Sequence, residues 1–140
     1  MSEQSGDFSF LEKIGLKKNS KVILVKPQTF MNRSGESTQK IIHFYKATTE
    51  DIIVIHDDLD LLIGKSKISQ ESSAAGHNGV QDIINKLGTK KITRLRIGVE
   101  IEEGRENRKI PGQKFVLQDF SETERQKALD SAIEIYNSLE

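Results

Sequence analysis

Hydrophobic and polar positions change period several times along the chain, which predicts strands alternating with helices. β-Branched apolar runs at 21–27 ("KVILVKP") and 52–58 ("IIVIHDD") predict strands, and the second is apolar on both faces, as in an interior parallel strand. The segment 92–100 ("ITRLRIGVE") places apolar residues at every second position with arginines between them, which predicts a strand with one polar face. Two shorter extended segments are predicted at 64–70 and 114–120.

Apolar residues three and four positions apart predict three helices, at 34–47, 80–88 and 121–140. The last helix opens with Ser121 and Glu124, spaced as in a capping box. Alternating strands and helices predict one α/β domain over 1–140, a mixed, mostly parallel twisted sheet flanked by helices. Its 140 residues suit a single domain.

Composition narrows the class of protein. Lys+Arg and Asp+Glu number 21 each, so only a local patch could attract nucleic acid. The chain has no cysteine, which excludes disulfides and thiolate metal sites and favours a cytoplasmic setting. No apolar stretch approaches the roughly 20 residues of a membrane span, and the start, "MSEQSGDFSF", lacks a signal-peptide pattern.

The segment 56–61 ("HDDLDL") follows the most apolar strand and carries one histidine and three aspartates. Three interpretations compete: a metal site, a solvated loop end, and a carboxylate that orients a catalytic histidine. The spacing of a calcium loop is absent. Asp57 and Asp58 are adjacent, so they point to opposite sides if the strand continues through them.

Two further segments fall where strands of an open sheet end, at 27–32 ("PQTFMN") and 76–79 ("GHNG"). Each contains an asparagine just before a predicted helix. Either asparagine could simply cap its helix. Alternatively, the free N–H groups at the helix start could bind an anion, and Asn32 and Asn78 could present their amides to substrate oxygens.

Five basic residues within eleven positions form a local basic patch: Lys86, Lys90, Lys91, Arg94 and Arg96. A solvated surface is the ordinary explanation, but a phosphate backbone would also suit this patch. Nucleophile candidates are weak, because the chain has no cysteine and no G-x-S-x-G motif. Water is therefore the expected nucleophile of any hydrolysis.

Several motifs in order, "KPQTFMNRSGE", "IIVIHDDLDLLIGK", "SSAAGHNGVQDIINKLGT", "RLRIGVE" and "FVLQDFSETE", closely resemble the bacterial-type peptidyl-tRNA hydrolases. The resemblance runs from about Lys21 to about Tyr136. It implies hydrolysis of the ester between a peptide and the 3′ ribose of tRNA, without a metal or other cofactor. It also implies a cytoplasmic, monomeric protein acting in translation and ribosome rescue, with peptidyl-tRNA as its partner.

The resemblance also implies roles for particular residues. Asp57 matches the aspartate that orients the general-base histidine, and Asn32 and Asn78 match the amides of the catalytic centre. Met31 and His77 match positions that line the substrate site. Basic residues expected to contact tRNA are Lys67, Lys90, Arg94 and Arg96.

The family's histidine-bearing segment, with its "GLGNPG"-like and "TRHNVG"-like motifs and its first strand, has no counterpart here. None of His43, His56 and His77 matches the general base. We therefore expect little turnover from these 140 residues, and restoration by a histidine-bearing segment, joined upstream or associating separately. The alternatives are a non-catalytic RNA-binding protein on the same scaffold and, last, a metal-dependent hydrolase built on "HDDLD".

Overall fold

The computed structural model describes residues 2–3, 23–101, 119 and 121–138, with side chains described up to residue 130. The predicted strand at 114–120 lies outside these residues except for residue 119. The chain divides into two compact units. The first contains the chain up to Ile53 together with Gln70–Thr93, and the second contains Val54–Ser69 and Arg94–Ser138.

The first unit is built mainly from two helices, α1 (Ser34–Tyr45) and α2 (Asn78–Leu87). Its other elements are short: antiparallel strands β1 (Ser2–Glu3) and β2 (Ile23–Leu24), and 3-10 helices at Met31–Arg33 and Thr49–Asp51. Of the described residues 23–27 of the predicted strand, Ile23–Leu24 are strand. The buried apolar side chains of this unit are Ala74, Val80, Ile83 and Ile92.

Close backbone contact holds α1 against α2. The N–H of Gly35 donates to Asp82 Oδ2 over 2.7 Å. A Cβ at Gly35 would stand 2.5 Å from the Asp82 carbonyl oxygen, so only glycine allows this approach. At its other end, α2 terminates at Gly88, which adopts φ +69° and donates its N–H to the Ile84 carbonyl.

The second unit contains most of a three-stranded sheet in the order β3 (Ile53–Leu62), β5 (Thr93–Glu100), β4 (Ser66–Ser69), followed by α3 (Glu122–Ser138). Strands β4 and β5 are antiparallel, with Lys67 opposite Arg96. Leu95 and Val99 are buried on β5. The predicted mixed α/β fold with a mixed sheet is thus confirmed. That the sheet is mostly parallel and that a first strand is missing stay predictions.

Two element boundaries matter for the site. Strand β3 continues to Leu62, so the expectation that "HDDLDL" follows a strand end is wrong: the cluster lies inside the strand.

The capping box of α3 is confirmed, because the Ser121 N–H donates to Glu124 Oε2 over 2.7 Å and the Glu124 N–H to Ser121 Oγ over 3.2 Å. No helix in the described ranges is long and apolar enough to cross a membrane.

Candidate active site

The side chains of the "HDDLDL" segment alternate between the two faces of β3. Because the strand is continuous, His56 and Asp58 share one face, and Asp57 lies on the other. The two adjacent aspartates therefore have different surroundings, as the sequence predicted. Asp57 is half-buried, while Asp58 is buried, with 8% of its surface exposed.

The polar face of β3 meets arginines of β5 in two successive cross-strand pairs. Arg96 Nε donates to Asp58 Oδ2 over 2.5 Å, and one step along the strands Arg94 Nη1 lies 3.4 Å from His56 Nε2. Both pairs join residues 38 positions apart, so they are neighbouring rungs of one register. We call these two pairs the charged rungs.

Further hydrogen bonds fix each member of the Asp58 rung. The other carboxylate oxygen of Asp58 accepts from the Asp60 N–H over 2.7 Å, and Arg96 Nη1 donates to Ser69 Oγ over 3.1 Å. The rung thus links all three strands of the sheet. Two charges with little exposure are matched and hydrogen-bonded here, which is the condition under which buried ions are tolerated.

His56 is held in a defined tautomer by the second rung. Its Nδ1 is 2.7 Å from the carbonyl oxygen of Asp57, which can only accept, so the proton lies on Nδ1. Nε2 then accepts from Arg94. Burial lowers the pKa of the Arg94 guanidinium from its ordinary value, and the nearby charge of Arg96 lowers it further, while Asp58 opposes the shift. Arg94 is 2% exposed.

In the first unit, a second group of predicted residues gathers where α2 begins. The residue that caps α2 is His77, whose Nδ1 accepts from the Val80 N–H over 3.2 Å. Asn78, for which capping was one of two open interpretations, is instead the first helical residue and does not cap α2. Gly79 follows, and any Cβ on it would collide with Met31 Sδ. Met31, His77 and the start of α2 are therefore in close contact.

Both predicted asparagines have exposed side chains. Asn32 lies in the 3-10 helix before α1. Helix α1 begins at Ser34 and its N-cap residue is Arg33, so Asn32 does not cap it. Within the described ranges, neither amide side chain has a hydrogen-bond partner. Each can thus donate and accept toward a bound molecule.

The five-residue basic patch does not form one exposed surface. Lys86, Lys90 and Lys91 are exposed in the first unit, and Lys91 lies 3.7 Å from Glu71. The two arginines turn into the charged rungs instead. Lys67, on β4, is exposed. The assignment of these basic residues to tRNA binding stays a prediction. The burial of Arg94 and the pairing of Arg96 with Asp58 do not favour such a role for the two arginines.

Metal binding finds no support in the arrangement of side chains. Among the residues that the structure describes, no three His, Asp or Glu side chains converge as a metal site requires. His56 contacts Arg94 and Asp58 contacts Arg96, so their nitrogen and oxygen atoms are directed at arginines and not at a shared metal position. The "HDDLD" segment alternates across a strand, and that alternation separates its carboxylates.

Sequence reasoning missed the charged rungs. It placed Arg94 and Arg96 on one face of a strand but did not connect that face with His56 and Asp58. The alternation of polar residues in both strands carried the signal, since each has charged or imidazole groups two positions apart. The sequence pattern does not reveal the register between β3 and β5, which determines which of these residues pair.

The two helices of the first unit and the three-stranded mixed sheet define a mixed α/β protein. The sequence model described as "Peptidyl-tRNA hydrolase" matches residues 1–139, and the chain belongs to that family. A relative from Metamycoplasma arthritidis, named peptidyl-tRNA hydrolase, is 43% identical over 130 residues, covering 87% of this chain and 68% of its own. One from Exiguobacterium sibiricum is 44% identical over 111 residues, covering 79% and 58%.

Solved structures agree with the sequence relatives. The crystal structure of peptidyl-tRNA hydrolase from Acinetobacter baumannii superimposes with a TM-score of 0.64 and 30% identity, covering 81% of this chain and 54% of that one. A peptidyl-tRNA hydrolase complex with N-propanol gives the same TM-score at 29% identity. The chain thus spans between 54% and 68% of the length of these relatives.

Proposed function

We propose that this chain acts as a peptidyl-tRNA hydrolase, cleaving the ester between a peptide and the 3′ ribose of tRNA. The observation that carries the proposal is the family match over residues 1–139, which includes Asp57, Asn32 and Asn78. The relatives are named for this reaction. We also propose that it acts in the cytoplasm, in translation and ribosome rescue, as a monomer.

The proposed chemistry is attack by water on the ester carbonyl. A histidine takes a proton from the water, the new C–O bond forms, and the bond to the ribose oxygen breaks as that oxygen is protonated. Asp57 accepts a hydrogen bond from the histidine and holds its tautomer. The exposed amides of Asn32 and Asn78 donate to the peptide carbonyl and to the ribose.

The histidine is the remaining requirement. Two of the described histidines already have hydrogen-bond partners: His56 lies beside Arg94, and His77 caps α2. His43 is exposed near the end of α1. Turnover by the chain alone would therefore assign the base to one of these three, and substituting each by alanine identifies it.

For substrate binding we propose the exposed lysines, Lys67 and Lys90, as contacts to tRNA phosphates, and Met31 and His77 as residues that line the ester-binding site. Lysine contacts release counterions from RNA, so binding must weaken as salt rises. Met31 is 57% exposed, and its side chain offers an apolar surface beside the amides of Asn32 and Asn78.

The test combines binding and cleavage. N-Acetyl-aminoacyl-tRNA is incubated with the chain and with Asp57→Asn, and ester cleavage and tRNA binding are measured at several salt concentrations, with and without a chelator. We expect salt-sensitive binding in both, and a low rate of cleavage that Asp57→Asn lowers further and a chelator leaves unchanged.

Each alternative has its own outcome. Salt-sensitive binding without any cleavage supports the non-catalytic RNA-binding protein. Chelator-sensitive cleavage supports the metal-dependent hydrolase. Absence of both binding and cleavage, or cleavage that Asp57→Asn does not change, contradicts the proposal.

A further inference from the structure

The two exposed amides proposed to meet the substrate lie at the starts of two different helices. Asn32 lies in the 3-10 helix Met31–Arg33, which continues directly into α1. Asn78 is the first residue of α2. All of these residues belong to the first unit. The spacing between the two amides therefore depends on how the start of α1 sits on α2.

Two neighbouring contacts join the start of α1 to one face of α2. Near the start of α2, a Cβ on Gly79 would collide with Met31 Sδ. Three residues further on, Asp82 Oδ2 accepts from the Gly35 N–H over 2.7 Å. Positions 79 and 82 are about one turn apart on α2, and positions 31 and 35 are about one turn apart on the facing segment. The two contacts therefore lie side by side, next to the residues that carry the amides.

The Asp82 carboxylate supplies an acceptor that α1 lacks at its start. The N–H groups in the first turn of a helix have no acceptor within the helix, and the N-cap residue Arg33 makes no side-chain hydrogen bond to them. A negative charge at this end is also stabilised by the helix dipole. Gly35 is buried and Asp82 half-buried, so this charged hydrogen bond has limited exposure to water.

The next contact along the same face of α2 is weaker. Gln39 Nε2 donates to the carbonyl oxygen of Lys86 over 2.8 Å, and both residues are exposed. A neutral hydrogen bond in water contributes less than one to a charged group with limited exposure. The start of α1 is therefore fixed on α2 chiefly through Asp82.

We propose that Asp82 is a positioning residue, which fixes Asn32 relative to Asn78 for binding of the peptidyl end of the substrate. Its carboxylate is directed at the Gly35 N–H and acts through the backbone of α1. The inference rests on the proposed function for the role of the two amides. The link between the helices stands on its own hydrogen bond.

The first experiment measures affinity by NMR titration of the whole chain with adenosine carrying an N-acetylaminoacyl group through a non-hydrolysable 3′ amide. Asp82→Ala removes the acceptor, and Asp82→Asn keeps an acceptor oxygen. We expect binding roughly fivefold weaker for Asp82→Ala, the effect of losing one hydrogen bond, and a smaller loss for Asp82→Asn.

The matched control separates positioning from a general loss of stability. Ile83 is the next residue of α2 and is buried, so Ile83→Val destabilises the packing of the helix without touching the link. Resonances of the folded chain report the affinity, and we expect Ile83→Val to leave it unchanged. A loss of affinity for Ile83→Val equal to that for Asp82→Ala overturns the proposal.

A second readout needs no ligand. The nuclear Overhauser effect between the Met31 methyl group and the Gly79 α protons reports how closely the segment before α1 lies on α2. We expect it to weaken in Asp82→Ala and to be retained in Asp82→Asn. Full intensity in folded Asp82→Ala overturns the proposal, as does an asparagine variant that behaves like the alanine variant.

Asp82→Glu covers the case in which Asp82→Ala does not fold. It keeps the negative charge at the start of α1, but its additional methylene group displaces the acceptor from the Gly35 N–H. Both readouts should then change, and unchanged readouts in the folded variant overturn the proposal. If the unmodified chain does not bind the adenosine probe, the proposed function fails, and the Met31–Gly79 contact still decides whether Asp82 positions the start of α1.

Discussion

The start of α2 and the charged rungs use polar side chains in opposite ways. At the start of α2, Asn78 and the neighbouring Asn32 are exposed and have no hydrogen-bond partner in the described ranges. In the charged rungs, Asp58 is paired with Arg96, Arg94 lies beside His56, and both Asp58 and Arg94 are buried. The exposed amides can thus meet a bound molecule, whereas the paired charges stabilise the strand that carries Asp57.

The largest effect should come from breaking a rung on one side. Asp58→Ala leaves Arg96 without its carboxylate in a mostly buried position, so we expect a loss of about 3–5 kcal/mol in the free energy of unfolding. Urea denaturation measures it. The double variant Asp58→Ala with Arg96→Met should recover part of this loss, because no uncompensated charge remains.

If Asp58→Ala costs less than about 1 kcal/mol, the rung behaves like an exposed surface pair and the contrast between the two regions disappears. Equal losses in the single and double variants would likewise contradict a coupled pair.

The close contact at the start of α2 should give the next largest effect. Gly79→Ala places a Cβ against Met31 Sδ, with the Met31 carbonyl oxygen and His77 Cε1 both 3.2 Å away, so a loss of roughly 1–3 kcal/mol is expected. Met31→Ala in the same chain should relieve the side-chain part of the clash. Thermal and urea unfolding check both, and an unchanged stability for Gly79→Ala would show that the two segments do not pack as described.

Loss of the helix cap should be smaller. His77→Ala removes the acceptor for the Val80 N–H and should cost about 1 kcal/mol. Asn78→Ala, one residue along with an exposed side chain, is the matched control and should change stability by less than about 0.5 kcal/mol. The reverse order of these two effects would restore asparagine as the cap.

The smallest effect concerns acid stability at the start of α1. Lys40, then Arg33, lower the pKa of Glu36 by hydrogen bonds and charge. A carboxyl whose folded pKa is lowered stabilises the fold above its unfolded pKa, and this is lost as pH falls through the folded value. Glu36→Gln should therefore flatten the acid side of the stability–pH curve slightly, and should do so less at high salt. A steeper acid side would contradict the pairing.

Much of the fold could be predicted from periodicity. The helices at 34–47 and 80–88 and the alternating strand at 92–100 lie within a few residues of α1, α2 and β5. The capping box of Ser121 and Glu124 was visible because both partners are local in sequence. Local patterns determine such elements with little help from the rest of the chain.

The site was predictable only in part, because its decisive contacts join distant residues. The end of β3 was placed too early, since an apolar run followed by acids looks like a strand exit when the partners of those acids are unknown. Arg94 and Arg96 supply the partners from 38 residues away. Residue types alone could not reveal this, because an arginine that binds phosphate and one that holds a buried carboxylate look the same in sequence.

The central proposal is that Asp57, Asn32 and Asn78 each take part in the hydrolysis of peptidyl-tRNA. Its most direct test is a ¹H–¹⁵N NMR titration of the chain with adenosine carrying an N-acetylaminoacyl group through a non-hydrolysable 3′ amide. We expect saturable shifts of the Asn32 and Asn78 side-chain amides and of the Asp57 backbone amide with one common dissociation constant. Saturable binding that leaves all three unmoved, or shifts that follow different constants, would contradict it.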